Sequence, residues 1–358
     1  MPSLKEIKGR INSISSTLAI TSAMKMVAAA KLQKAQMAIQ NMLPYERRLH
    51  SMLIDLMGAM NISAAASEDG SVRGSGSAER GFDQSGDRLS LSNRHDLAGM
   101  DGAYSLMAQR EVRKVAIVAF ASNSSLCGAF NSNAIREATA VINEYRASGL
   151  GDADITVYSV GRKMAEAMKK LGFPSPADFT KMSDSPSYDA ASALAQELLD
   201  GFVSGRFDKV ELVYNHYKST SSQPTTRQTY LPLSLADATA DLQAGKIADS
   251  ASESDTNRGA EPVGAPVVRQ GSPTTEDLIV EPSKEALIAT LLPKVIRLRI
   301  FTTLLDSAAA EHAARTVAMQ LATDNGNDLL QELTLEYNKG RQQKITSEIL
   351  DLVGGSMQ

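Results

Sequence analysis

The chain of 358 residues has no tryptophan, a single cysteine and few aromatic residues, and its formal net charge is only -4. The lone Cys127 cannot close an intrachain disulfide. With no cysteine cluster either, a disulfide-built secreted domain and a cysteine-ligated zinc module are both excluded, and a reducing compartment is the default expectation. The slightly acidic balance argues against a surface that is one continuous nucleic-acid footprint. No run of about 18 or more apolar residues occurs, and the N-terminus alternates charged and apolar residues (Lys5, Glu6, Lys8, Arg10) where a secretion signal needs an apolar core. The chain is therefore expected neither to insert into a membrane nor to be exported. Chemical motifs are just as scarce. His50, His95, His216 and His312 are far apart, and none has paired-ligand spacing. There is no Walker A sequence, and Gly161-Arg162-Lys163 lacks the spacing that wraps a pyrophosphate. These patterns lead us to expect no catalytic residue, no metal and no cofactor.

What is present is helical periodicity at both ends. Ser3-Leu4-Lys5-Glu6 has the pattern of a capping box, in which Ser3 and Glu6 would satisfy each other's backbone donors. Beyond it Ile7, Ile11, Ile14, Leu18, Thr21, Lys25, Ala28, Leu32, Ala35, Ile39 and Met42 alternate at spacings of four and three, the seam of a left-handed coiled coil. Only Thr21 and Lys25 interrupt its apolar character. A helix from Ser3 to Met57 would be about 80 Å long and could not bury this seam by itself. The other end supplies a partner. From Ser283 to Val353 the sequence is nearly continuous helix former, about 105 Å if unbroken. Ile296, Ile300, Leu304, Ala308, Val317, Leu321, Leu329, Leu333, Ile345 and Ile349 lie roughly on one side. A kink is expected at Pro293. The rod should be softest at Gly326 and Gly340, each costing about 1 kcal/mol relative to alanine.

Between the ends an alternating pattern predicts strands at Val112 to Phe120, Asp154 to Val160 and Lys209 to Asn215, with helices from Asn131, Arg162 and Ser187. A mostly parallel sheet with right-handed crossovers follows. Arg227 to Leu233 comes too soon for a crossover and ends near Pro232, so an antiparallel edge strand is expected. The stretches 61–110 and 236–282 are rich in Ser, Gly, Asp, Glu and Pro without apolar periodicity and read as flexible insertions, the second acidic. The expected organisation is an N-terminal shaft helix over 1–60, the first insertion over 61–110, and a Rossmann-like α/β domain over 111–235. The acidic insertion over 236–282 and a C-terminal shaft helix over 283–358 complete it.

Two residue groups suggest other functions. Cys127 follows a strand and precedes a helix, where nucleophiles occur, although a packed small hydrophobe is the blander reading and no partner base is evident. The first helix is basic, with Lys5, Lys8, Arg10, Lys25, Lys31, Lys34, Arg47 and Arg48 against Glu6 and Glu46. With only Tyr45 interleaved it lacks the stacking residues of a nucleic-acid arm, so no nucleic-acid partner is expected.

Longer strings narrow the choice. Ala19-Ile-Thr-Ser-Ala-Met-Lys-Met-Val-Ala-Ala-Ala-Lys-Leu32 lies near one end, and Ala314-Arg-Thr-Val-Ala-Met-Gln-Leu-Ala-Thr-Asp-Asn325 near the other. The second is followed by Leu333-Thr-Leu-Glu-Tyr-Asn-Lys-Gly-Arg-Gln-Gln-Lys-Ile-Thr-Ser-Glu-Ile349. These resemble the signature ends of the γ subunits of F-type ATP synthases. Leu126-Cys-Gly-Ala-Phe-Asn131, Tyr214-Asn-His-Tyr-Lys-Ser219 and Leu231-Pro-Leu233 resemble that family's central domain in the same order. The resemblance implies a non-catalytic rotor. Its paired termini would form a shaft inside a hexamer of α and β subunits, and its central domain would meet the ε subunit and the membrane c-ring. Such a protein is peripheral, on the cytoplasmic face of the bacterial plasma membrane, and inserts no segment of its own. By the matching strings, Met24 and Lys25 would meet the lever-like β loops, and Arg341 and Gln342 the β catch loops, with Thr346 and Glu348 nearby. The foot contacts would fall at Tyr214, His216, Tyr217 and Lys218. The seam's polar breaks at Thr21 and Lys25 would then mark where the shaft serves an outer bearing as well as its inner partner.

Overall fold

The computed structural model describes residues 3–69, 106, 107, 110–233, 281 and 283–355. The elements in chain order are α1 (Leu4–Asp69), β1 (Val115–Phe120), α2 (Phe130–Ala147), β2 (Ile155–Val160), α3 (Arg162–Lys170), α4 (Thr180–Asp184), α5 (Tyr188–Val203), β3 (Lys209–Asn215), β4 (Thr225–Leu231) and α6 (Lys284–Gly355). The sheet order is β2-β1-β3-β4. The first three strands are parallel, and β4 runs antiparallel on the edge. β4 begins and ends two residues earlier than expected, which leaves Pro232 just past the ladder, where its missing N–H costs nothing. The rest of 61–110 and nearly all of 236–282 lie outside the described residues, but α1 itself runs beyond the expected boundary at residue 60 to Asp69.

β1, Val-Ala-Ile-Val-Ala-Phe, is buried along its whole length, as a strand covered on both faces must be. One face meets α2 and α3 through Ile117, Ala134, Ile142, Met164 and Met168. The other meets α5 and the first part of α6, where Val118, Phe120, Leu194, Leu198 and Leu212 pack with Ile296, Ile300 and Leu304. Leu49, Leu53 and Leu56 of α1 join the same core. The base of the rod is therefore a layer of the domain, and each large aliphatic side chain buried there contributes about 1.5–3 kcal/mol.

The rod begins at Ser3, whose Oγ accepts from the Glu6 backbone N–H at 3.3 Å. The capping box is only half made, because the Glu6 carboxylate turns outward to Arg10 at 2.9 Å. α1 contains Pro44 and α6 contains Pro293, and both helices continue through them without interruption. The two helices are antiparallel. Leu4, Leu18 and Thr21 on α1 meet Gly340, Gly326 and Thr323 on α6 in turn, and farther down Glu46 accepts from Thr302 at 3.0 Å. On α1 every position of the expected seam is buried or half-buried.

On α6 the expected stripe holds for Ile296, Ile300, Leu304 and Ala308 but fails toward the tip. Leu321, Leu329, Ile345 and Ile349 are each about half exposed or more (58%, 50%, 47% and 55%). The positions turned inward are Met319, Thr323, Gly326, Leu330, Leu333, Tyr337 and Gly340, an unbroken four-and-three spacing that passes through threonine and glycine. Of these only Leu333 belongs to the expected stripe. The two glycines are also not slack points. A Cβ on Gly326 would lie 2.6 Å from Leu18 Cδ2, and one on Gly340 would lie 3.2 Å from Leu4 Cδ2. Each glycine is the hole that receives a leucine knob, so packing offsets its low helix propensity. Past Gly340 α1 has ended, and α6 continues alone, exposed on all sides from Arg341 to Leu350.

Candidate functional site

The residues singled out by the resemblance fall at three heights of the rod. Met24 and Lys25 are half-buried on α1, one turn from the layer in which Thr21 and Thr323 place their hydroxyl oxygens 3.2 Å apart. Ile20, Met26 and Val27 beside them point outward (60%, 65% and 57% exposed). Lys25 makes no ion pair among the described residues. This height presents a cation and a bare apolar rim, a surface suited to another protein rather than to water.

At the tip Arg341, Gln342, Thr346 and Glu348 all stand on the unaccompanied part of α6. Thr346 Oγ1 is turned back to the Gln342 carbonyl at 2.9 Å, and Glu348 faces Lys344 at 3.8 Å, a loose exposed pair. Ile345, Ile349, Leu350, Leu352 and Val353 on the same segment are bare.

The third height is where the rod leaves the α/β domain. Tyr214, one residue before the end of β3, is half-buried, and the turn after the strand carries His216 and Lys218 exposed and Tyr217 half-buried. His216 Nδ1 lies 2.6 Å from Asp306 Oδ2 of α6, and the Tyr217 N–H donates to Asp306 Oδ1 at 2.9 Å. The hydrogen bond to Asp306 raises the His216 pKa above its ordinary value. Gln36 of α1 donates to the Tyr217 hydroxyl at 2.6 Å. The neighbouring His216 and Tyr217 are both held by Asp306 of α6, a residue that no motif singled out.

A polar cluster at the same level was also not foreseen. Glu311 is 8% exposed and pairs with Arg315 at 2.7 Å, and Arg315 donates onward to Ser125 O at 2.7 Å and Ser124 Oγ at 2.8 Å. It ties the loop after β1 to α6. Burial holds the Glu311 carboxyl above its usual range despite that pairing. Neighbouring His312 is pushed down to about 4, by burial first and then by Lys31 and Arg315, and its Nδ1 has no hydrogen-bond partner among the described residues. Cys127 is 1% exposed, with Asn131 Nδ2 at 3.1 Å and Phe130 and Ala310 packed around it. It is a core side chain, and no histidine or carboxylate appears among its hydrogen-bond partners.

The features worth binding thus lie on the outside of a rod. A family model described as ATP synthase matches residues 3–357. The ATP synthase gamma chain of Phocaeicola vulgatus is 47% identical over 357 residues, with 100% of both chains covered, so both insertions have counterparts there. That of Bacteroides thetaiotaomicron is 45% identical at the same coverage, and that of Flavobacterium johnsoniae 35% identical over 99% of this chain and 98% of its own. Among solved structures, a Euglena gracilis mitochondrial ATP synthase, described as OSCP/F1/c-ring, contains a chain with TM-score 0.52 and 19% identity. It covers 99% of this chain and 93% of that one, a likeness of fold. This chain belongs to the ATP synthase γ-chain family, the non-catalytic rotor subunit of the central stalk of F-type ATP synthases.

Proposed function

We propose that this chain couples ion flow through a membrane sector to ATP synthesis or hydrolysis on the β subunits by turning as one body inside a hexamer of α and β subunits. The observation that carries this reading is the asymmetric rod itself. An antiparallel coiled coil is rooted in an α/β domain at one end and reduced to one exposed helix at the other. Rotating an asymmetric shaft changes which β subunit meets which face, and contacts that differ from face to face shift each catalytic site among its conformations.

The rim at Met24 and Lys25 is the proposed bearing against acidic lever loops of the β subunits. Arg341 and Gln342, with Thr346 and Glu348, engage the catch loops. At the other end the α/β domain meets the ε subunit and the c-ring around Tyr214, His216, Tyr217 and Lys218. None of the helices, over the described residues, is long and apolar enough to cross a membrane. The chain sits peripherally through the complex, on the cytoplasmic face of the bacterial plasma membrane. Co-expression with the α and β subunits of the same organism tests the reading. One copy of the chain should co-purify with the hexamer, and Arg341→Ala with Gln342→Ala should lower ATP turnover without loss of assembly. Failure to form any complex would sink the rotor assignment.

A further inference from the structure

Where the rod leaves the α/β domain, one side chain touches both helices and the domain. Tyr217 packs against the buried cluster that joins Leu32 of α1 to Ala309 and Ala313 of α6, a cluster that Ala35 and Ile39 of α1 also cover. On its other side it meets Cys127 and Phe130 of the domain and Ala310 of α6. The α6 side chains in these two clusters are all alanines (Ala309, Ala310, Ala313 and Ala314), which leave room for an aromatic ring. Polar ties fix the ring in place. Its hydroxyl accepts from Gln36 at 2.6 Å, its backbone N–H donates to Asp306 at 2.9 Å, and the preceding His216 grips the other oxygen of the same carboxylate at 2.6 Å. The strand end behind it is braced as well, since Asn215 donates to the Phe130 carbonyl at 3.1 Å and accepts from Thr225 at 2.7 Å.

We propose that Tyr217, anchored by Asp306 and Gln36, is a collar pin that locks α1 and α6 to each other and to the α/β domain, so that torque passes into the domain without slip between the helices. Below this height α6 is walled by the sheet core, and above it the two helices hold chiefly each other, so shear under load concentrates here. Tyr217 is a positioning residue and touches no substrate. The inference rests on the rotor reading.

The test uses the complete synthase in lipid vesicles, with ATP hydrolysis and ATP-driven proton or sodium uptake measured on the same preparation. Hydrolysis is also measured in the hexamer complex freed from the membrane sector. Gln36→Ala, which cuts a tie to the ring and lies outside the proposed foot contacts, should leave hydrolysis by the freed complex near wild type and lower ions moved per ATP, and Tyr217→Ala should lower that ratio further, by about threefold, the size of change seen for residues that carry coupling between distant sites. Tyr217→Phe, which keeps the ring, should retain most of the ratio, whereas a loss from general destabilisation would lower both activities together. If Tyr217→Ala does not assemble, Tyr217→Phe combined with Gln36→Ala and, separately, Asp306→Asn keep the aromatic ring and weaken the ties, and each should lower the ratio. An unchanged ratio in every variant that assembles overturns the collar while leaving the rotor reading intact. A wild-type complex that hydrolyses ATP yet moves no ion of either kind removes the rotor reading and the collar with it.

Discussion

Between Ile288 and Ala313 the helix α6 is buried on most sides, whereas between Arg341 and Leu350 it is exposed around its whole circumference, although the two stretches are similarly rich in helix formers. The lower stretch is held by the sheet, by α5 and by α1, and the upper by no other element among the described residues. Helix propensity alone leaves isolated segments marginal, so a tip this bare is built for a surface that another molecule provides. The same amino acids therefore mean different things at the two heights. Ile300 is core (0% exposed), and Ile349 is surface held in reserve (55%).

The comparison can be broken most forcefully by truncating those two residues. Ile300→Ala should destabilise the purified chain by about 2–5 kcal/mol in denaturant unfolding, and Ile349→Ala by less than about 0.5 kcal/mol. Equal costs would mean that the tip is packed after all. The next effect concerns glycine. Gly326→Ala drives a methyl group into Leu18 and should cost about 1–3 kcal/mol. Gly9→Ala, where nothing lies within 4 Å, should be neutral or stabilising by up to about 1 kcal/mol, as melting of the two variants would show.

A pH titration of stability separates buried from half-exposed histidines in the same way. His50 and His312 are each held down to about 4 from 6.5, chiefly by burial, with Arg299 beside the first and Lys31 and Arg315 beside the second. Above about pH 6.5 both are neutral in the folded and unfolded chain and contribute nothing. As pH falls from 6.5 toward 4 the unfolded chain takes up protons first, so stability declines across that window. His50→Gln and His312→Gln should flatten the decline. His216 has the opposite sign. Its raised pKa contributes stability that is present below about 6.5 and lost as pH rises through the folded value, a small effect because the ring is half exposed. Smallest of all, Lys344→Ala should change stability by less than about 0.5 kcal/mol, since its partner Glu348 lies 3.8 Å away in solvent.

Much of this architecture was legible in the residues because it rests on periodicity. The α1 seam, the buried run of β1 and the antiparallel β4 each follow from spacing and from proline placement. The upper α6 seam was misread because the residues that face α1 there include Thr323, Gly326 and Gly340. Glycine marks a close approach only once the opposing leucine is known. Asp306 and Gln36 were silent for a related reason. An isolated polar residue on a long helix reads as solvated surface until the fold brings a tyrosine to it. The extension of α1 to Asp69 was missed because its run of Ser and Ala carries no apolar face.

The most direct test of the rotor account is to watch the shaft turn. With Cys127 buried, Lys169→Cys on exposed α3 gives a single accessible thiol for a bead, and the hexamer can be fixed to glass by its own subunits. Rotation of the bead in one direction, driven by ATP and stopped by its removal, is the predicted result. A complex that hydrolyses ATP at full rate while the bead only jitters in place would contradict the account.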